Sequence, residues 1–269
     1  MPLDDSAIRA TGLLVPRGRR GGDAVDLDVP SGTLLVITGG AASGKTALAL
    51  TLAGRMPLRG GSLEVLGDSL PRNARSIRGR TGLVGDDRVS PLDGDLTVHH
   101  HIAEAVVLAG PWWRPWASVR ATQQVIDRVD SASRRIASES RTPARPQLAL
   151  DPRALVADLQ PLARLTLSLA LALVPRPQLL VVDDVDRLRD TDDRRMAWSV
   201  LLGTEAGLRP DLTIVATAQD PRELDDARRA AAASARPVVV LDLDAVSAEV
   251  APAIPAPLHP DAAVAAESL

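Results

Sequence analysis

Gly39-Gly40-Ala41-Ala42-Ser43-Gly44-Lys45-Thr46 combines glycines, an ammonium and a hydroxyl in the spacing GxxxxGK[ST]. Each residue type has a use in holding phosphate. The glycines let backbone N–H groups turn inward and approach phosphate oxygens closely. Lys45 supplies a point charge for β- and γ-phosphates, and Thr46 offers a hydroxyl to Mg2+. The flanks suit the motif. Leu34-Leu35-Val36-Ile37 is an apolar run of buried-strand length, and Ala47 to Leu52 are mostly strong helix formers. A helix starting there aims its positive end at the same phosphates. The plainer reading, an ordinary glycine-rich strand–helix connection, fits this motif and context poorly. Residues 39–46 are therefore the candidate nucleotide-phosphate-binding loop.

A second element supports it. Leu179-Leu180-Val181-Val182-Asp183 is an apolar run ending in a carboxylate. A buried strand that delivers an Asp to the C-terminal edge of a sheet is the Walker B arrangement, and Asp183 is a candidate Mg2+ ligand, directly or through water. Many buried strands end in Asp as a helix cap. Paired with a P-loop, the pattern becomes fairly specific.

The elements that must carry these groups alternate along the chain. Ile8 to Val29 reads as two strands around an Arg/Gly-rich turn, and Ser62 to Leu66 and Gly82 to Val84 read as short strands. Leu96 to Leu108 reads as a helix with Thr97 as its N-cap, Ala117 to Ile136 as an amphipathic helix, and Pro152 to Val174 as helical with a break near Pro161. Buried strands at Leu179–Val182 and Leu212–Thr217 alternate with helices around Arg194–Leu202 and Pro221–Ala233. Val238–Leu243 and Val246–Val250 read as a closing hairpin, and the Ala/Pro-rich tail from Ala251 as disordered. The class is α/β, with buried strands of parallel type.

Composition narrows the rest. The 269 residues suffice for one large domain, and the net charge of −3 argues against a nucleic-acid binder that relies on overall basicity. There is no cysteine, which excludes disulfides and thiolate metal sites. No secretory signal is visible, and the longest apolar-rich stretch, Leu165–Val174, is too short to span a bilayer. A soluble, cytoplasmic protein is the expectation. Phe and Tyr are absent and four Trp are the only aromatics, so the core must be built from Leu, Val, Ile and Ala.

The order of segments resembles the nucleotide-binding subunit of ATP-binding-cassette (ABC) transporters, over roughly Ile8 to Val250. Beyond the P-loop, the resemblance rests on MPLRGGSLEVLGDSLP (Met56–Pro71), TGLVGDDRVSPLDGDLTVHHHI (Thr81–Ile102), LVADLQPLARLTLSLALALVPRPQLLVVDD (Leu155–Asp184) and DLTIVATAQD (Asp211–Asp220). It implies a P-loop NTPase fold of ABC type, with a mixed sheet core, an antiparallel β-subdomain and a helical subdomain at about 96–163. It implies residues 1–250 as a single cassette and 251–269 as a tail. It also implies Mg·ATP as cofactor, a membrane permease as partner, a homodimer or a heterodimer with another cassette, and a peripheral place at the inner face of the cell membrane.

Within that resemblance several positions depart from the family. The Q-loop glutamine aligns with Asp86, a weak metal candidate. The signature LSGGQ aligns with Leu159-Gln160-Pro161-Leu162-Ala163, the catalytic Glu with Asp184 and the switch histidine with Gln219; Asp190 matches the D-loop aspartate. The adenine-stacking aromatic expected near Val15 to Arg20 is missing, with Arg17, Arg19 and Arg20 as the replacement on offer. Pro161 has no N–H to donate, and Leu162 is expected to add bulk where Gly permits close approach. Asp184 is one methylene shorter than Glu, and losing a general base costs about 10²–10⁴-fold. Gln219 cannot change protonation near neutral pH as His does. Nucleotide binding is thus expected to survive better than turnover.

Two features stand apart from the motifs. His99, His100 and His101 are adjacent, so on a helix they point to different faces and do not suit one metal. Trp112, Trp113 and Trp116 cluster around Pro115, either as an aromatic anchor for a partner or lipid interface or as filler of a small helical core. The functional expectation is an ATP-binding transporter subunit with slow or partner-dependent hydrolysis. The alternatives are a non-hydrolysing nucleotide-dependent module and a soluble P-loop kinase, which would need an acceptor-binding lid that 96–155 does not show.

Overall fold

The computed structural model describes residues 6–15, 24–85, 92–113, 116, 118–139, 150–203, 208–230 and 236–250. In chain order they form β1 (Ser6–Leu14), β2 (Ala24–Pro30), β3 (Leu34–Thr38), α1 (Lys45–Leu52), β4 (Ser62–Val65), β5 (Asp68–Leu70), α2 (Ala74–Gly79) and β6 (Thr81–Val84). The helices α3 (Val98–Ala109), α4 (Val119–Glu139) and α5 (Pro161–Leu173) follow. The chain then alternates through β7 (Leu179–Val182), α6 (Thr191–Leu202), β8 (Thr213–Thr217), α7 (Arg222–Ala230), β9 (Val238–Asp242) and α8 (Leu243–Val250).

The apolar runs lie side by side in a parallel sheet of order β6-β7-β8-β3-β9. Successive residues of a strand point to opposite faces, and here both faces are covered. Leu35, Ile37, Leu179, Val181 and Val215 enter one core together with β1, β2, β4 and α1. Leu34, Val36, Leu180, Val182 and Ile214 enter the other, against Trp198 and Leu201 of α6. That double burial is why the runs read as continuous rather than alternating. The named strands that pair antiparallel form a second sheet of order β2-β1-β4-β5, where β2 alternates with Val25, Leu27 and Val29 inward.

The helical layer has its own small core of Val98, Ile102, Ile126, Val156 and Leu167. As expected, Thr97 caps α3, its hydroxyl accepting the His100 N–H at 3.2 Å. Residues 152–174 are not one broken helix. Turns and a 3-10 segment at Val156–Asp158 precede α5, which starts at Pro161. Pro is well placed there, because a first-turn N–H has no partner within the helix anyway. The Trp cluster does not fill the helical core. Trp112, Trp113 and Trp116 are 88%, 63% and 69% exposed, and Trp112 and Trp113 meet edge to face at 5.9 Å.

The closing hairpin is also corrected. β9 pairs in parallel with β3, Leu34 opposite Val238 and Thr38 opposite Asp242, and residues 243–250 are helix α8. Asp242 Oδ1 accepts the N–H of Asp244 at 2.9 Å and of Ala245 at 3.4 Å, an N-cap that turns the chain out of the strand. Asp86, Arg17, Arg19, Arg20 and the tail 251–269 lie outside the described residues. Among the described residues no helix is long and apolar enough to cross a membrane.

Candidate nucleotide-binding site

The loop between β3 and α1 sits at the C-terminal edge of the parallel sheet. Gly39 and Gly44 have φ of 142° and 100°, left-handed conformations that favour glycine. A Cβ at Gly39 would lie 2.8 Å from Ser43 Oγ, so the loop closes only around a bare Cα. Ala42 takes φ 60° without being glycine. Lys45, the first residue of α1, folds its ammonium over the loop and donates to the carbonyls of Gly39 at 2.7 Å and Gly40 at 2.8 Å. Ala41 completes the exposed outer turn beside Gly40 and Ala42.

Asp183 follows β7 directly and meets this loop. Thr46 Oγ1 donates to Asp183 Oδ1 at 3.0 Å, and Thr217 Oγ1 donates to the same oxygen at 2.7 Å. Thr217 in turn accepts the Asp184 N–H at 2.7 Å. The parallel register sets this up: Val182 lies opposite Ala216, so the next residues, Asp183 and Thr217, emerge together. Thr217 escaped the sequence reading. Its signal was a hydroxyl residue closing a buried strand, informative only once that strand is known to neighbour β7. Gly85, at φ 99°, passes so close that a Cβ would strike the Asp183 carbonyl.

The remaining candidate residues lie beside this cluster in a different state. Asp184 has φ 58°, and its carboxylate faces Arg187 Nε across 3.8 Å. Arg187 also donates to the Gly85 carbonyl. Gln219 is exposed, and its backbone N–H donates to Asp186. Burial pushes the Asp186 carboxyl above the usual aspartate range; the Gln219 N–H pulls it back in part and the neighbouring Asp184 charge pushes it up further. Asp190 caps α6, accepting the N–H groups of Asp192 at 2.9 Å and Asp193 at 3.1 Å. Gln160 and Pro161 are exposed at the start of α5, but Leu162 is 4% exposed and packs in the sheet's core. Its bulk is turned inward, not presented where a close approach would occur.

Beneath this edge, Arg194 Nε and Nη2 donate to Glu223 Oε1 at 2.9 and 2.6 Å, joining α6 to α7. The two side chains are 19% and 11% exposed. On the opposite flank of the loop, the Gly40 N–H donates to Asp244 Oδ2 at 2.7 Å, a contact hidden from the sequence by the hairpin reading. Between the helical layer and the sheet runs a cleft of about 830 Å³, bordered by Leu83, His101, Leu108, Pro161, Leu165 and Asp184. His101 is the buried member of the histidine run and pairs through Nε2 with the Asp93 carbonyl at 3.0 Å; His99 and His100 are exposed.

The donor set suits the group the motif implies. A threonine hydroxyl and a carboxylate are hard oxygen donors of the kind Mg2+ takes. The glycine-lined loop at the start of α1, with an ammonium over it, suits phosphate.

Comparison with known proteins agrees with this geometry. A family model described as "ABC transporter" matches residues 23–186, more than half of the chain. No curated protein sequence gives a match. Among solved structures, cbiO1 from Clostridium perfringens, part of the ABC transporter complex cbiONQ, is similar at 17% identity and TM-score 0.62, with 89% of this chain and 86% of that chain covered. A bacterial Atm1-family ABC exporter with ATP bound is similar at 18% identity and TM-score 0.58, with 88% of this chain and 37% of that longer chain covered. The dimeric bacterial ABC transporter cassette MJ0796 is similar at 14% identity and TM-score 0.59, covering 88% and 94%. At these identities the structures speak to the fold, and the family match speaks to membership. The chain belongs to the ABC transporter family, as an ATP-binding cassette with the P-loop NTPase fold.

Proposed function

We propose that this chain is the ATP-binding subunit of an ABC-type transporter, binding Mg·ATP at residues 39–46 to drive or gate a membrane permease. The observation that carries this is the convergence of Thr46 and Thr217 on Asp183 Oδ1 beside the Lys45 ammonium. Lys45 and backbone N–H groups within Gly39 to Thr46, apart from the Gly40 N–H taken by Asp244, would hold the phosphates; Thr46 and Asp183 would hold the metal, with Asp86 a third candidate. Mg2+, when bound, supplies charge neutralisation between the phosphates. Residues 1–250 act as one cassette with 96–163 as its helical subdomain. The helical subdomain would meet the permease, with the protein peripheral at the inner face of the membrane. The cassette pairs with a second copy or with another cassette. Calorimetric titration with ATP and Mg2+ tests the reading. Binding is expected to fall roughly 10³-fold in Lys45→Ala, which removes two or more charge-assisted bonds. Equal affinity in that variant overturns the assignment.

A second reading is a nucleotide-dependent regulatory module with no useful hydrolysis. It is favoured by the Asp184–Arg187 pair, which sets a cation beside the position aligned with the family's catalytic Glu. Phosphate release no faster than in Lys45→Ala, with nucleotide binding intact, selects this reading; faster release selects slow or partner-dependent turnover.

A further inference from the structure

Two helix starts meet at the same corner of the sheet. α1 leaves β3 through the 39–44 loop, α8 leaves β9 at once, and the two strands are parallel neighbours. The Asp242 cap fixes the first turn of α8, and that turn is seated: Leu243 is 1% exposed, and a Cβ built at Gly39 would lie 3.4 Å from Leu243 Cβ. Asp244 is thereby aimed at the loop, and its Oδ2 takes the Gly40 N–H at 2.7 Å. The Gly40 carbonyl meanwhile accepts from Lys45 at 2.8 Å. Gly40 is gripped from both sides, by the carboxylate on its N–H and by the ammonium on its carbonyl.

We propose that Asp244 is a positioning residue for the phosphate loop, and that its charge lowers nucleotide affinity, more for a triphosphate than for a diphosphate. The inference rests on the reading of residues 39–46 as the nucleotide site. Two effects of opposite sign follow from one carboxylate. Its hydrogen bond holds the start of the loop in place, so that less ordering remains for binding. Its negative charge stands at the rim of a site for anions, and repulsion scales with the charge of the ligand. Asp244 is exposed, so solvent and salt screen the repulsion to a few-fold effect.

Asn and Ala substitutions separate the two effects. Asp244→Asn keeps an acceptor for the Gly40 N–H and removes the charge; Asp244→Ala removes both. Affinities for Mg·ATP and Mg·ADP are measured by calorimetry on the full chain at low and high salt, with Lys45→Ala as control. The expected result is about threefold tighter ATP binding in Asp244→Asn at low salt, a smaller gain for ADP, and convergence with wild type at high salt. Asp244→Ala is expected to bind more weakly than Asp244→Asn. An Asn variant no tighter than wild type, an equal gain for both nucleotides, or identical Asn and Ala variants each overturn the proposal. If Lys45→Ala binds as well as wild type, the underlying site assignment fails instead.

Discussion

Around Asp183 two threonine hydroxyls converge on one carboxylate oxygen, and a lysine lies over the loop beside them. One residue further on, the Asp184 carboxylate faces an arginine at 3.8 Å, and the nearby Gln219 is held by its backbone alone. The first region has the residue types its proposed chemistry needs; in the second, Asp184 and Gln219 stand where the resemblance expects Glu and His. Yet the second is not loosely built. Asp190 caps α6 with two hydrogen bonds, Asp186 ties down the Gln219 peptide, and the Arg194–Glu223 pair locks α6 to α7 underneath. The second region thus combines a paired scaffold with residue types that depart from the resemblance.

That contrast can be broken most forcefully at the scaffold. Arg194→Met leaves Glu223 nearly buried without its partner and should cost about 3 kcal/mol in urea unfolding, recovered in part by adding Glu223→Leu. A loss under about 0.5 kcal/mol would mean the second region is not under structural maintenance. Next in size, Asp184→Glu with Gln219→His should raise phosphate release by about 10²-fold over wild type. An unchanged rate would move the block to Gln160–Pro161.

Smaller effects sharpen the same boundary. The Asp186 carboxyl is raised above the ordinary 3.8. A raised carboxyl means the folded state holds the proton more tightly than the unfolded one. Its contribution to stability is present below 3.8 and is lost as pH rises through the folded value. Asp186→Asn keeps an acceptor for Gln219, so the variant should overtake wild type in thermal stability above that window and lose the advantage as pH falls to it. A gap between the two that does not change with pH contradicts the assignment. Smallest, Ala42→Gly relieves a left-handed Ala but adds backbone freedom to the unfolded chain. A net gain of about 0.5 kcal/mol in thermal or urea unfolding is expected; a loss of stability would mean the Ala42 geometry carries no strain.

The sequence revealed what is local and hid what depends on register. Residues 39–46 and 179–183 are contiguous patterns whose flanking periodicity already implied a strand and a helix. Thr217 reaches Asp183 only through the β7–β8 pairing, and Asp244 reaches Gly40 only because β9 runs parallel to β3 and then turns into helix. Leu162 shows a different gap: alignment gave its identity, but only the start of α5 at Pro161 shows its side chain pointing into the core. The Trp cluster left core and surface uses open because a large aromatic serves either, and exposure decides between them.

The distribution of tryptophan has an optical consequence. With four Trp and no Tyr or Phe, near-ultraviolet absorption and emission come from indole alone. Trp198 is fully buried under the sheet, while three of the four stand in water at the corner between α3 and α4. Emission from the native chain should therefore be dominated by a red-shifted surface signal. Anything that covers that corner should shift it to the blue, so the protein carries an unlabelled reporter for contact at its helical end.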